Sequence, residues 1–189
     1  MSKFIIDENN PHLGGNTIRP DKNTWSPASW TYLLENFDIK KMTDLGSGQG
    51  HTSQWFKERS IDVTAVEGLE FNVKNSVVPA ILHDLTKKSF EQPTDLVLCV
   101  EVVEHIEEEY LEFLLTSLCQ GNILFMTHAV PGQPGYHHVN CQDSKYWIDH
   151  ISKKGYTLLE KESQEIRLLA AGDKARHLER NGMIFKKSS

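Results

Sequence analysis

The sequence predicts one α/β domain built on a parallel sheet covered by helices on both faces. Two observations carry this reading. Short β-rich apolar runs alternate with amphipathic stretches in a βαβα rhythm. A glycine-rich stretch, TDLGSGQG at Thr43 to Gly50, follows the first of the central runs and opens the next amphipathic one. Parallel strands joined through helices bury both sheet faces, so the layers must be doubly wound. A length of 189 residues suits one such domain with a sizeable core.

Taken in order, residues 1–40 read as a polar arm and a leading helix, and 41–189 as the domain proper. Ser26 is placed as an N-cap with Pro27 at the first helical position, opening a helix over 26–37. Strands are predicted at 41–45, 62–67, 80–84, 95–100, 122–127, 156–161 and 182–187, each a β-rich apolar run. Amphipathic spacing predicts helices near 51–59, 103–119, 144–154 and 164–180.

Composition narrows the function classes. With 39% hydrophobic and 24% charged residues and no apolar run of membrane-spanning length, the sequence is that of a globular protein. The opening MSKFIIDENNPHLGG has acidic residues and no long apolar core, so no secretory signal is read there and a cytoplasmic location is expected. Cys99, Cys119 and Cys141 lie far apart without CxxC spacing, which predicts neither a disulfide nor thiolate-bound zinc. A net charge of −6 argues against a sequence-independent grip on nucleic acid, and leaves room for a small polar substrate or a cationic cofactor.

The glycine stretch selects among nucleotides. A dinucleotide fingerprint needs GxGxxG, whereas Gly46, Gly48 and Gly50 make GxGxG and His51 stands where the third glycine would pack. Asp44 at the strand tip repels a pyrophosphate and favours an amine or sulfonium. Glu67 ends the second central strand, where an acid accepts hydrogen bonds from ribose hydroxyls, and Asp84 follows the third, where an acid suits an adenine amino group. Three acids and a glycine loop at successive strand ends describe a site for a positively charged adenosine without phosphates. S-adenosylmethionine fits that description.

Four segments, DLGSGQG, VEG, HDLT and LCVEVVEHI, together resemble the class I S-adenosylmethionine-dependent methyltransferases, over roughly residues 41–187. The resemblance implies that Gly46, Ser47, Gly48 and Gly50 contact the methionine moiety, Glu67 and Gly68 the ribose, and Asp84 and Leu85 the adenine. It also implies a seven-stranded, mostly parallel sheet whose last strand, 182–187, is antiparallel and inserted next to the fifth, and an N-terminal segment that folds over the site as a lid.

In EVVEHIEEEY, Glu101, Glu104 and His105 stand at i, i+3 and i+4, which predicts one shared helical face of two carboxylates and an imidazole. Glu107, Glu108 and Glu109 read as solvated. The ExxEH pattern resembles that of the small-RNA 3′-end 2′-O-methyltransferases and the ubiquinone-pathway O-methyltransferases, where a later histidine completes a divalent-metal site. The segment THAVPGQPGYHHVNCQ offers such histidines and also resembles a group of uncharacterised bacterial and phage methyltransferases. Neighbouring residues of an extended segment point to opposite sides, so one of His137 and His138 faces the site, and His138 is the choice. The candidate ligands are then Glu101, Glu104, His105 and His138, for Mn²⁺, Fe²⁺, Co²⁺, Zn²⁺ or Mg²⁺. His105, His128 and His138 are the candidate bases.

The expected activity is O-methylation of a hydroxyl on a small molecule or sugar. N-methylation and RNA 2′-O-methylation are the alternatives within the class; an NAD-dependent oxidoreductase and a catalytically silent cofactor-binding partner subunit are those outside it.

Overall fold

The fold is described from a computed structural model over residues 4–17 and 21–188; residues 1–3 and 18–20 of the expected arm and residue 189 of the domain lie outside the described residues. In chain order the elements are β1 (Phe4–Ile6), β2 (Gly15–Thr17), α1 (Pro27–Asn36), β3 (Lys41–Leu45), α2 (His51–Lys57), β4 (Asp62–Glu67), α3 (Glu70–Lys74), β5 (Ala80–Leu82), β6 (Thr94–Cys99), α4 (Leu111–Leu118), β7 (Gly121–Met126), α5 (Ser144–Lys153), β8 (Tyr156–Leu158), α6 (Glu160–Asp173), α7 (Arg176–Asn181) and β9 (Met183–Lys187). β1 and β2 pair antiparallel within the arm. The other seven strands form one sheet in the order β5-β4-β3-β6-β7-β9-β8. β3 to β7 run parallel, and β9 is antiparallel to both neighbours, as the last predicted strand requires. Strand order reverses between β3 and β6, so the loops leaving their carboxyl ends diverge and open a crevice there.

The period of two along the central strands explains why both faces are covered. Val97 and Cys99 of β6, with Leu124 and Met126 of β7, enter the core layer that holds Leu115, Trp147 and Ile151. Their neighbours Leu96, Leu98, Ile123 and Phe125 enter the opposite layer, with Trp30, Phe56 and Ile166. Ser26 caps α1 as read, its Oγ accepting the Ser29 N–H at 3.3 Å, and Pro27 is the first helical residue. Trp30 and Leu33 of this helix have no exposed surface. Trp30 meets Phe125 edge-on at 5.7 Å and Phe56 at 6.1 Å. The leading helix is therefore a core element, and only the segment before it reaches the cleft.

Several boundaries differ from those predicted. The helix expected over 103–119 begins at Leu111, because the chain first makes 3-10 turns at Val103–His105 and Glu108–Tyr110. The helix expected over 164–180 starts at Glu160 and breaks at Lys174, whose left-handed φ of 63° ends α6 before α7 begins. The third central strand stops at Leu82, leaving Asp84 in the loop beyond it. The strand at 156–161 stops at Leu158, since Leu159 caps α6. Among the described residues no helix is long and apolar enough to cross a membrane.

Trp30→Ala should remove about 3 to 5 kcal/mol of stability, as expected for a large buried aromatic, read by urea unfolding. A loss below about 1 kcal/mol would mean that α1 is not part of the cooperative core.

Candidate functional site

One cleft lies over the strand-order reversal, and the loops after β3, β4, β5 and β6 line it with the arm. Asp44, Gly46, Ser47, Gly48, Glu67, Gly68, Asp84 and Leu85 all border it, so the residues expected at a cofactor are brought together with the exception of Gly50. Gly50 instead caps α2 and packs behind the loop, where a Cβ would sit 2.7 Å from the Ser76 hydroxyl. Gly46 has φ 73°, and a Cβ there would lie 2.2 Å from Val102 Cγ2. The first glycine is thus required both by its left-handed backbone and by the loop that follows β6.

The three acids are held differently. Asp44 is 4% exposed, and burial pushes its carboxyl up to about 6 even though Ser53 donates to it at 2.6 Å. Glu67 is 5% exposed, and burial pushes it up to about 7 against the N–H groups of Leu69 and Gly48, each at 2.7 Å. For Asp84, burial would raise the carboxyl, but Thr86, His12 and Lys87 outweigh it and hold the group well below the usual carboxylate range. Oδ1 of Asp84 accepts from Thr86 N–H and Oγ1, and Oδ2 faces His12 Nε2 and Lys87 Nζ, both at 3.1 Å. Those four contacts fill the acceptor capacity of a carboxylate. A ligand donor reaches Asp84 only by displacing one of them.

The N-terminal segment expected over the site does border it, through contacts that the sequence reading did not name. His12 reaches Asp84, Leu13 lies over Gly68, and Gly14 faces the His105 ring, so one short turn crosses the cleft from the third central strand to the loop after β6. Asp21, Thr24 and Trp25 border the cleft from the other side. Nothing in the local sequence announces these contacts, because they join residues far apart in the chain.

The ExxEH group does not share a helical face. Glu101 has φ 55°, uncommon for a residue with a side chain, and only Val103–His105 forms a single 3-10 turn. Glu101 accepts from Thr127 Oγ1 at 2.9 Å and pairs with His177 Nδ1 at 3.0 Å. Burial would raise its carboxyl, but His177 and Thr127 lower it overall. Glu104, His105 and His138 do converge, each offering a ligand atom within 4.8 Å of the others. Glu104 has no exposed surface and neither carboxylate oxygen has a hydrogen-bond donor. Burial, then the charge of Glu101, pushes it well above the usual carboxylate range. Burial also drives the His105 imidazole down to about 4, and its Nδ1 is unpartnered.

His138 stands edge-on to His105 with ring centroids 5.1 Å apart, while His137 turns away to Glu107 at 2.8 Å. Glu107 is therefore a partner of the loop and not merely solvated. His128 takes no part in the cleft: it has no exposed surface, its Nε2 meets Ser144 Oγ at 3.1 Å and its Nδ1 meets the Ala129 carbonyl. Its side chain points into the body of the protein from the end of β7, so it meets no acceptor in the cleft.

The magnesium protoporphyrin IX methyltransferase of Synechocystis PCC 6803, solved with S-adenosylmethionine bound, superposes on 85% of this chain and 76% of its own with a TM-score of 0.61 at 13% identity. The chain has the class I methyltransferase fold. A TehB-like S-adenosylmethionine-dependent methyltransferase from Corynebacterium glutamicum matches 85% of this chain and 88% of its own, with a TM-score of 0.62 at 14% identity. The cyclase SpnF shares the class I fold as well, at a TM-score of 0.58 and 12% identity over 85% of this chain and 80% of its own. The fold alone therefore does not fix the reaction. By sequence, the chain is 30% identical to the ubiquinone biosynthesis O-methyltransferase of Rickettsia typhi over 40% of its length, which is 37% of that relative. No family model matches the chain.

Gly46→Ala should cost about 1 to 3 kcal/mol, the range for forcing extra atoms into a packed site, read as a lowered melting temperature. Wild-type stability would show that the loop after β6 yields freely.

Proposed function

We propose that the protein is an S-adenosylmethionine-dependent methyltransferase acting on a hydroxyl of a small molecule or sugar. One observation carries the cofactor: Asp44, Glu67 and Asp84, at the ends of three adjacent parallel strands, border one cleft beside the glycine loop. A cleft ringed by carboxylates favours a sulfonium and an ammonium over a pyrophosphate, which speaks against NAD. In this reading the glycine loop and Asp44 hold the methionine moiety, Glu67 the ribose, and Asp84 the adenine after His12 gives way. The distant O-methyltransferase relative supports oxygen as the acceptor atom. The acidic cleft disfavours a polyanionic acceptor such as RNA.

Methyl transfer from a sulfonium is an in-line displacement with a good leaving group, so the protein aligns the acceptor and manages its proton. His105, which borders the cleft and is kept neutral by burial, is the proton acceptor in this reading, with the His138 ring edge-on behind it. Glu104, His105 and His138 also fit a divalent cation, because two oxygens of a fully buried carboxylate and an imidazole nitrogen there have no partner. A cation held by them would orient an acceptor hydroxyl and lower its pKa. His138 closes this cluster only because residue 135 is glycine: a Cβ there would lie 2.0 Å from His138 Nε2.

Calorimetry should detect binding of S-adenosylmethionine and S-adenosylhomocysteine but not NAD. Glu67→Ala should weaken both ligands roughly ten- to a hundredfold, from the 1.5 to 3 kcal/mol of a charge-assisted hydrogen bond. Affinity should rise from pH 5.5 through pH 7 and level off above about pH 8. The sign follows from the cation, which binds best to ionised carboxylates, while Asp44 and Glu67 release their protons only near 6 and 7. Heat with NAD alone, or an affinity that falls as pH rises, would overturn the reading.

Titration with Mn²⁺, followed by loss of the free-ion paramagnetic signal, should give one site that disappears in Glu104→Ala and weakens in Gly135→Ala. Full methyl transfer by chelator-treated protein would leave the histidines to act unaided.

A further inference from the structure

Beside the cleft lies a second cavity to which the preceding reading gives no task. In α2, His51, Gln54 and Trp55 stand at i, i+3 and i+4, with Glu58 one turn further on, so one face of the helix lines it. Lys22 and Trp25 of the arm, and Lys174 where α6 ends, complete the lining. Trp25 and His51 also border the cleft, so the two cavities share a wall. That wall and its neighbours are fixed by the protein itself. The Arg59 guanidinium lies over the Trp55 ring, 3.6 Å from its centre, and Trp55 meets Phe56 edge-on at 5.0 Å. Trp25 packs against the core layer of Trp30 and Phe56, after a turn in which the Asp21 carbonyl accepts from Thr24 N–H at 3.2 Å and Thr24 Oγ1 at 3.0 Å. Asp173, beside Lys174, ties the end of α6 to the start of α1, its Oδ2 accepting from Ser26 Oγ and Ala28 N–H, both at 2.9 Å.

Size decides what this cavity is for. The cleft encloses about 230 Å³, below the roughly 300 to 1,000 Å³ of ordinary small-molecule sites, whereas the second cavity encloses about 710 Å³. A cleft filled by its cofactor has no volume left for the body of an acceptor. Resting on the reading that the cleft binds S-adenosylmethionine, we propose that the cavity beside α2 is the acceptor subsite and that it takes a planar aromatic alcohol, the ring against the indoles of Trp25 and Trp55 and the hydroxyl directed past Trp25 and His51 into the cleft. The walls select the ring. Two indoles in one cavity offer stacked and edge-on contacts that add to burial for an aromatic body and are closed to a saturated one. The charged groups are of both signs, Lys22 and Lys174 with Glu58 and Asp173, so they favour neither an anion nor a cation and leave recognition to the ring. The hydroxyl of the preceding reading is thereby narrowed to a phenolic one, and a sugar is excluded. A phenol, with a pKa of about 10, also gives up its proton more readily than an aliphatic alcohol.

The test uses the full chain with 1-naphthol, 2-naphthol and 2,3-dihydroxynaphthalene as probes, and decahydro-2-naphthol and methyl glucopyranoside as their saturated counterparts. Calorimetric binding of S-adenosylhomocysteine tests the cofactor reading separately. Its absence would overturn that reading, while the naphthols still report on the cavity. They should bind both with and without S-adenosylhomocysteine, and roughly tenfold more tightly than the saturated compounds. On their addition the indole N–H resonances of Trp25 and Trp55 should shift, and those of Trp30 and Trp147, which have no exposed surface, should stay in place. Gln54→Trp, at an exposed position of α2 that lines the cavity and not the cleft, should weaken the naphthols about tenfold or more with S-adenosylhomocysteine affinity unchanged. Trp55→Leu should weaken them similarly, and its melting temperature is read alongside because Trp55 also packs in the core. With tritiated S-adenosylmethionine, at least one naphthol should take label on oxygen. Competition between naphthol and S-adenosylhomocysteine, equal affinity for the saturated compounds, unshifted Trp25 and Trp55 signals, wild-type naphthol affinity in Gln54→Trp, or bound naphthols that take no label would each overturn the proposal.

Discussion

The buried carboxylate of Glu67 ties together the two loops from which the cleft is built. Oε2 takes the N–H of Gly48, in the loop after β3, and Oε1 takes the N–H of Leu69, in the turn after β4. Glycine loops have no side chains with which to fix themselves, and their conformational freedom is costly to remove. An acceptor from the adjacent strand supplies the missing constraint, reinforced where the N–H groups of Gly46 and Ser47 reach the Val66 carbonyl at 2.9 and 3.0 Å. The register that places Asp44 beside Ala65 and Leu45 beside Val66 brings Glu67 level with the loop. A shift of one residue would turn the carboxylate to the other face of the sheet.

The same burial that shapes the loop sets its electrostatics. Asp44 and Glu67 prefer to hold protons because they have lost water without gaining a cation, whereas Asp84 has gained His12 and Lys87 and remains ionised. An incoming positive charge is therefore most valuable between the glycine loop and β4. Asp84 is already satisfied by the protein's own residues, so any ligand donor that pairs with it must displace one of them, and gains correspondingly less than the count of contacts suggests.

The parts of the fold that were legible in the sequence are those where one periodicity rules. Strands β6 and β7 are buried on both faces and appear as near-continuous apolar runs, and β3 and β4 as shorter β-rich runs ended by an acid or the glycine loop. Ser26 and Pro27 announce α1 through capping chemistry that needs no tertiary context. The three-residue strands of the arm and the five-residue α3 are too short to show any period. Lys174 gives no warning that it will take the left-handed conformation that splits α6 from α7. That Asp44, Glu67 and Asp84 would border one cleft was legible for the same reason as the sheet: they lie at or just beyond strand ends, and strand ends follow from strands.

The acceptor side was not, and Glu101 shows why. The spacing of Glu101, Glu104 and His105 implies one helical face only if every intervening residue is helical, and a single positive φ at Glu101 removes that premise. What decides the conformation is Thr127, which supplies an acceptor for the Glu101 N–H and a donor for its carboxylate at the same time. Thr127 stands at the end of the neighbouring strand β7, so the constraint acts across the sheet and leaves no mark in the local sequence. His177 reaches the same carboxylate from the segment between β8 and β9. The motif therefore splits by function of geometry: Glu104 and His105 turn toward His138, while Glu101 turns back toward Thr127 and His177. Two neighbouring carboxylates in one motif acquire opposite proton affinities, Glu101 lowered by His177 and Thr127 despite its burial, and Glu104 raised by burial and then by the charge of Glu101. That divergence separates a carboxylate held by two donors from a fully buried carboxyl without one, within four residues of one loop.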